Sequence, residues 1–139
     1  MNVIEMIGVS KSYGQVRALK DMCLTVPTGS IFGLMGPNGS GKTTSIKLML
    51  GLMEPTAGTL TVFGATPSGD GMVLRRRIGF VPEDFSLYPH MTGIEILEFN
   101  ARLYGCSVQE NVRRLQTVFE LPLARKIATY SKEIGRAHV

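Results

Sequence analysis

The stretch Gly36-Pro37-Asn38-Gly39-Ser40-Gly41-Lys42-Thr43 fits the pattern G-x-x-x-x-G-K-[ST] at every fixed position. Its chemistry follows from the residue types. Glycines let the backbone curl until successive N–H groups point inward. Together with the N-terminus of a following helix, those groups can hold the phosphates of a nucleotide. Lys42 is placed to reach the β- and γ-phosphates and offset their charge, and Thr43 offers the kind of oxygen ligand that Mg²⁺ takes. Thr44 continues the run into the next element, so the candidate binding set is Gly36, Pro37, Asn38, Gly39, Ser40, Gly41, Lys42, Thr43 and Thr44.

Such a loop needs a buried strand before it and a helix after it. The apolar run Ile31–Met35 reads as the strand, and residues 45–52 have helical spacing. Upstream, Val3–Val9 and Leu19–Val26 are rich in β-branched and aliphatic residues and read as strands, with Lys11–Gln15 as a polar turn between them. Downstream, residues 54–58 are a turn, Thr59–Phe63 a strand, Met72–Arg77 a short helix and Ile78–Val81 a second buried strand. Thr92 with Glu95 forms a capping-box pattern for a helix running to Tyr104 and stopping at Gly105. Ser107 with Glu110 repeats it for another helix. Strands first, helices later and one strand–loop–helix unit make an α/β chain with antiparallel β at its N-terminal edge.

Bulk properties exclude several classes. With 44% hydrophobic and 19% charged residues among 139, the chain is too apolar to be disordered. Its longest apolar stretch, Leu48–Met53, is broken by Gly51 and is too short to span a bilayer. The N-terminus has an early Glu5 and no basic segment ahead of an apolar core, so a cytosolic location is expected. The +4 net charge is dispersed apart from Arg75–Arg77 and Arg113-Arg114, which read as solvated helix faces rather than a nucleic-acid surface. Cys23 and Cys106 match no metal or redox spacing and are expected to be buried or half-buried thiols. His90 is expected as a solvent-facing loop histidine, and the eight methionines as core filler.

The sequence around the loop, "GLMGPNGSGKTTSIKLMLGLMEPTAGTLTVFG", resembles the nucleotide-binding domain of ATP-binding cassette (ABC) proteins along its whole length. "KSYG" resembles that family's adenine-contacting loop, which implies Tyr13 stacked on the base. "IGFVPEDFSLYPHMTGIEILEFNARLYG" resembles the segment with the Q-loop and the start of the helical subdomain. Here the usual Gln is replaced by Glu83, which keeps an oxygen ligand for metal but adds negative charge beside anionic phosphates. The resemblance implies a P-loop NTPase of the ABC-ATPase type: an antiparallel β part, half of a RecA-like core and the first part of the helical subdomain. It implies ATP and Mg²⁺ as ligands, with Lys42 and Glu83 as catalytic residues and Thr43 and Glu83 at the metal. It also implies membrane-spanning permease subunits as partners, with Phe85–His90 toward them, and a second nucleotide-binding domain paired head to tail. No nucleic acid is expected. The place is then the cytoplasmic face of a membrane, held peripherally through the permease.

Residues 1–132 read as the N-terminal part of one such domain. No apolar strand ending in Asp-Glu is written in the 139 residues, and no switch histidine follows one. A soluble ABC ATPase of translation or DNA repair is an alternative; a phosphate-loop kinase or GTPase is disfavoured by the lack of an Asn-Lys-x-Asp guanine motif. Tyr130-Ser131-Lys132 resembles the opening of the family's signature motif, after which Gly is expected. Instead residues 133–139 read Glu-Ile-Gly-Arg-Ala-His-Val, which GAGATCGGAAGAGCACACGTC encodes and which looks like a short-read sequencing adapter. Resequencing the locus should therefore replace Glu133 with Gly and change every residue after it. A native reading of all seven residues followed by a stop codon would refute the adapter origin.

Overall fold

The computed structural model describes the chain except residues 69–70, 83–87, 109–111, 114, 117–118, 120–121 and 131–139. It divides into two units, Met1–Ile78 and Gly79–Val139.

The first unit is built on a three-stranded antiparallel sheet. Strand β1 (Asn2–Tyr13) lies in the middle, β2 (Val16–Pro27) on one side and β3 (Ala57–Val62) on the other. Helix α1 (Lys42–Met49) and the short α2 (Gly71–Arg75) complete it. The strands are longer than the apolar runs. Pairing continues through Lys11↔Leu19, Ser12↔Arg17 and Tyr13↔Val16, so the polar residues 11–13 belong to β1 and only Gly14 and Gln15 turn.

Met6 and Val9 are both fully buried, although an odd spacing puts side chains on opposite faces of a regular strand. A bulge resolves this. Between Met6↔Leu24 and Val9↔Met22 the chain advances three residues on β1 and two on β2. The same extra residue shows against β3, between Ile7↔Thr59 and Ser10↔Ala57. Inserting one residue returns Val9 to the core face. There Met6 and Val9 pack with Leu19, Leu60 and Val62 of the sheet, Leu48 of α1 and Leu74 of α2.

The expected strand Ile31–Met35 does not form. The run has no strand assignment, and Ile31 and Met35 stand almost wholly in water. The expected strand Ile78–Val81, whose first residue closes the first unit, also lacks strand structure, and Phe80 and Val81 are exposed. A continuous apolar run is the pattern of a strand covered on both faces and paired at its edges. No strand among the described residues pairs with either run. Both thiols correct their expectation too: Cys23 and Cys106 are exposed, and Cys23 Sγ accepts the Gly8 N–H at 3.3 Å. The methionines split, with Met6 buried and Met1, Met35 and Met72 exposed. Arg75–Arg77 and His90 are exposed, as expected.

The second unit is organised around α3 (Gly93–Tyr104). Its capping box is formed in both directions, with Glu95 N–H donating to Thr92 Oγ1 at 3.4 Å and Thr92 N–H donating to Glu95 Oε2 at 2.7 Å. Gly105 closes the helix in the left-handed conformation. The next two orphan donors, Gly93 and Ile94 N–H, bond the carbonyls of Arg125 and Leu123 at 3.2 and 3.0 Å. A 3-10 turn, Ile127–Thr129, follows, and Leu123 and Ile127 are buried, as is Ile96 of α3. The Ser107 and Glu110 capping pattern lies partly outside the described residues, although residues 112, 113, 115 and 116 are helical. No described helix is long and apolar enough to cross a membrane.

The two hydrogen bonds from Thr92 hold the Glu95 carboxyl below the usual carboxylate range. With the folded value depressed, the carboxylate's contribution is complete above the ordinary glutamate range and is lost as pH falls through the lower folded value. Thr92→Ala should cost about 1 kcal/mol of α3 stability and lessen this acid limb without abolishing it, because the Thr92 N–H, the larger of the two causes, is kept. Urea denaturation followed by circular dichroism, from neutral to strongly acidic pH, measures both effects.

Candidate functional site

The glycine-rich loop is shaped by two backbone requirements. Ser40 N–H bonds the Pro37 carbonyl at 3.2 Å, closing a turn in which Gly39 has φ +81°. That is the φ of the third position of a type II turn, which glycine adopts without steric cost. Gly41 then enters α1 with φ +90°, and a side-chain carbon there would sit 2.8 Å from the Ala18 carbonyl oxygen. The loop is therefore pressed against the backbone of β2.

Lys42 is half-buried, and its ammonium donates to the carbonyls of Gly36 at 2.6 Å and Pro37 at 2.8 Å. It bridges the loop from the helix back to the loop's first residues. Thr43 is exposed and Thr44 half-buried. Ser45 Oγ, on a residue only 1% exposed, donates to the Gly41 carbonyl at 2.9 Å. Three residues on, Leu48 is fully buried in the sheet core. The helix is thus anchored at Ser45 and Leu48, while its first turn stays open.

No side chain caps α1, and its first turn holds no acidic residue. This is the opposite of α3, whose leading N–H groups are all taken by protein acceptors. Orphan N–H groups, the positive end of the helix dipole and a lysine ammonium together make an anion-binding site. The donor set suits phosphate oxygens, which need several N–H donors and a counter-charge.

Tyr13 ends β1 and is 48% exposed. Its hydroxyl donates to Met53 Sδ at 3.0 Å, and Lys11 Nζ lies 5.5 Å from the ring centroid. Both Tyr13 and the loop belong to the first unit. Glu83 lies outside the described residues, as do Phe85 and Leu87. Among the described residues no group of three or more His, Cys, Asp or Glu side chains could hold a metal ion. Tyr130 is described: its hydroxyl donates to the Pro122 carbonyl at 2.7 Å, and burial pushes that hydroxyl's pKa up. The rest of the signature-like stretch and residues 133–139 are outside the description.

Sequence reasoning missed the polar contacts behind the ring. Met53 and Lys11 carry no spacing pattern that would pair them with Tyr13, 40 and 2 positions away.

A glycine loop leading into an uncapped helix on an antiparallel sheet defines a phosphate-loop protein of the α/β class. The match to known proteins narrows the class. Residues 19–135 match the family model described as "ABC transporter", and the chain belongs to that family. It is 38% identical to the Nod factor export ATP-binding protein I of Cupriavidus pinatubonensis, over 85% of this chain and 36% of the relative. It is 35% identical to the linearmycin resistance ATP-binding protein LnrL of Bacillus subtilis, over 81% of this chain and 36% of that protein. The solved ATP-binding subunit of an ABC transporter superposes with a TM-score of 0.83 at 31% identity, covering 98% of this chain and 59% of that one. The chain spans little more than a third of the curated relatives it matches.

Gly41→Ala tests the loop's seating. The left-handed backbone and the approach to Ala18 leave no room for the methyl, so the substitution should cost about 1–3 kcal/mol in urea denaturation. Gly14→Ala, where an added carbon meets nothing within 4 Å despite φ +57°, should cost less.

Proposed function

We propose that this chain is the Mg-ATP-binding part of the ATPase subunit of an ABC transporter. The observation that supports it most directly is the open first turn of α1 together with the Lys42 ammonium held across the loop. In this reading the N–H groups of the loop and of the first turn of α1, from Gly39 and Gly41 to Thr44, cradle the phosphates. Lys42 exchanges its carbonyl partners for, or shares them with, the β- and γ-phosphate oxygens. Tyr13 presents an aromatic face to the adenine, which any purine accepts.

Mg²⁺, when bound, offsets charge on the β- and γ-oxygens. Thr43 and Glu83 supply oxygens for it, a hydroxyl and a carboxylate. A carboxylate at position 83 favours the metal over positioning a water through an amide. In the whole protein, two such domains close head to tail over nucleotide, and hydrolysis drives transport through membrane-spanning permease subunits. Phe85–His90 is the stretch we assign to the permease side, at the cytoplasmic face of the membrane. The names of the relatives, for Nod factor export and linearmycin resistance, support outward transport.

Lys42→Ala should weaken Mg-ATP binding by about 100-fold, the loss of a charge-assisted contact that leaves phosphate charge unpaired. Isothermal titration of the 139-residue chain measures this. The same chain should show no turnover, because no Asp-Glu strand end follows the loop in its sequence. Robust phosphate release by the purified chain, or unaltered ATP affinity in the Lys42 variant, would count against the assignment.

A further inference from the structure

The end of β1 is tied to one short connector, residues 53–56, between α1 and β3. Four hydrogen bonds join residues 10–13 to it. Thr56 N–H bonds the Ser10 carbonyl at 2.8 Å, and Ser12 N–H bonds Thr56 Oγ1 at 3.1 Å. Lys11 Nζ donates to the Glu54 carbonyl at 2.6 Å, and the Tyr13 hydroxyl donates to Met53 Sδ at 3.0 Å. The Lys11 ammonium also lies 5.5 Å from the Tyr13 ring centroid.

The sulfur end of this link is itself fixed. Met53 is half-buried, packs on the core cluster that contains Leu48, and shares with Leu48 and Leu60 the lining of a cavity of about 110 Å³. Leu48 is the residue that seats the phosphate helix. An exposed tyrosine without such a partner samples several rotamers and must give them up when a ligand stacks on it. Fixing the ring beforehand removes that cost from binding. A thioether suits the task, since it packs as an apolar group and still accepts a hydrogen bond.

We infer that Met53 is a positioning residue for nucleotide recognition. Its sulfur, supported by the Lys11 ammonium that reaches from β1 to the Glu54 carbonyl of the connector, holds the Tyr13 ring in place for the base and ties the base end of the site to the helix at the phosphate end. The inference rests on the reading of Tyr13 as the base-stacking residue.

The test compares Mg-ATP with Mg-tripolyphosphate, which has the phosphates but no base, by calorimetric titration of the full chain. The quantity read is the ratio of the two affinities; circular dichroism reports the fold of each variant. Tyr13→Phe keeps the ring and loses the hydroxyl, while Met53→Leu keeps the apolar volume and loses the acceptor. Each should lower the ATP-to-tripolyphosphate ratio by about fivefold. The double variant should lose no more than either single one, because both remove the same contact. A role for Met53 in packing alone would weaken both ligands equally. Such an equal loss, an unchanged ratio in Met53→Leu, or additive losses in the double variant would overturn the inference. Tyr13→Ala separates the two levels. If it lowers the ratio while Met53→Leu does not, only the positioning role fails. If it leaves the ratio unchanged, the stacking assignment fails and takes the inference with it.

Discussion

A helix whose N-terminus is left uncapped draws no stability from that end, so something else must hold it in place. Here the sheet does. Leu48 is driven wholly into the core between Met6, Val9, Leu60 and Val62, and Ser45 closes onto the Gly41 carbonyl one turn earlier. Burying one leucine supplies about 1.5–3 kcal/mol, more than the few tenths to 1 kcal/mol that charge at an exposed helix terminus contributes. The phosphate loop, its lysine and its threonines are displayed from a helix fastened at its middle. The contrast with α3 makes the point. That helix satisfies its leading donors with Thr92, Leu123 and Arg125, and it has no anion site to offer.

The sheet can seat α1 only because β1 carries its bulge. Without the extra residue between Met6 and Val9, one of the two would face water, and the core beneath Leu48 would lose a side. The same strand then runs past its apolar part to Tyr13, where the connector from α1 meets it. One short segment of chain therefore stands between the end of the phosphate helix and the strand that carries the ring. The Ser10 carbonyl, the Lys11 ammonium, the Ser12 N–H and the Tyr13 hydroxyl are all spent on this junction, while Ser10 Oγ accepts the Asp21 N–H of β2.

The runs at 31–35 and 78–81 show the limit of patterning. Both have the composition of interior parallel strands, yet among the described residues neither pairs with a strand, and Ile31, Phe32, Met35, Phe80 and Val81 are exposed. Apolar composition says that a segment is suited to a covered strand. Whether it becomes one depends on the ladder partners it finds. Exposed apolar surface of this kind favours association, and it flanks the loop at 31–35.

Local chemistry was legible in the sequence. The phosphate-loop pattern, the Thr92–Glu95 capping box, the Gly105 stop and the three strands of the antiparallel sheet each depend on residues a few positions apart, so residue type and spacing are enough. The family, too, was visible from the loop and its flanks. Tertiary structure alone decided the rest: the bulge that lets Met6 and Val9 share a face, the close approach of Gly41 to Ala18, the exposure of both cysteines, and the junction between Tyr13 and Met53. Each of these joins positions distant in sequence or depends on how two strands slip past one another. Nothing in a one-dimensional pattern records a distance between residues 13 and 53. That distance is set when Leu48 packs into the sheet and brings the connector alongside β1.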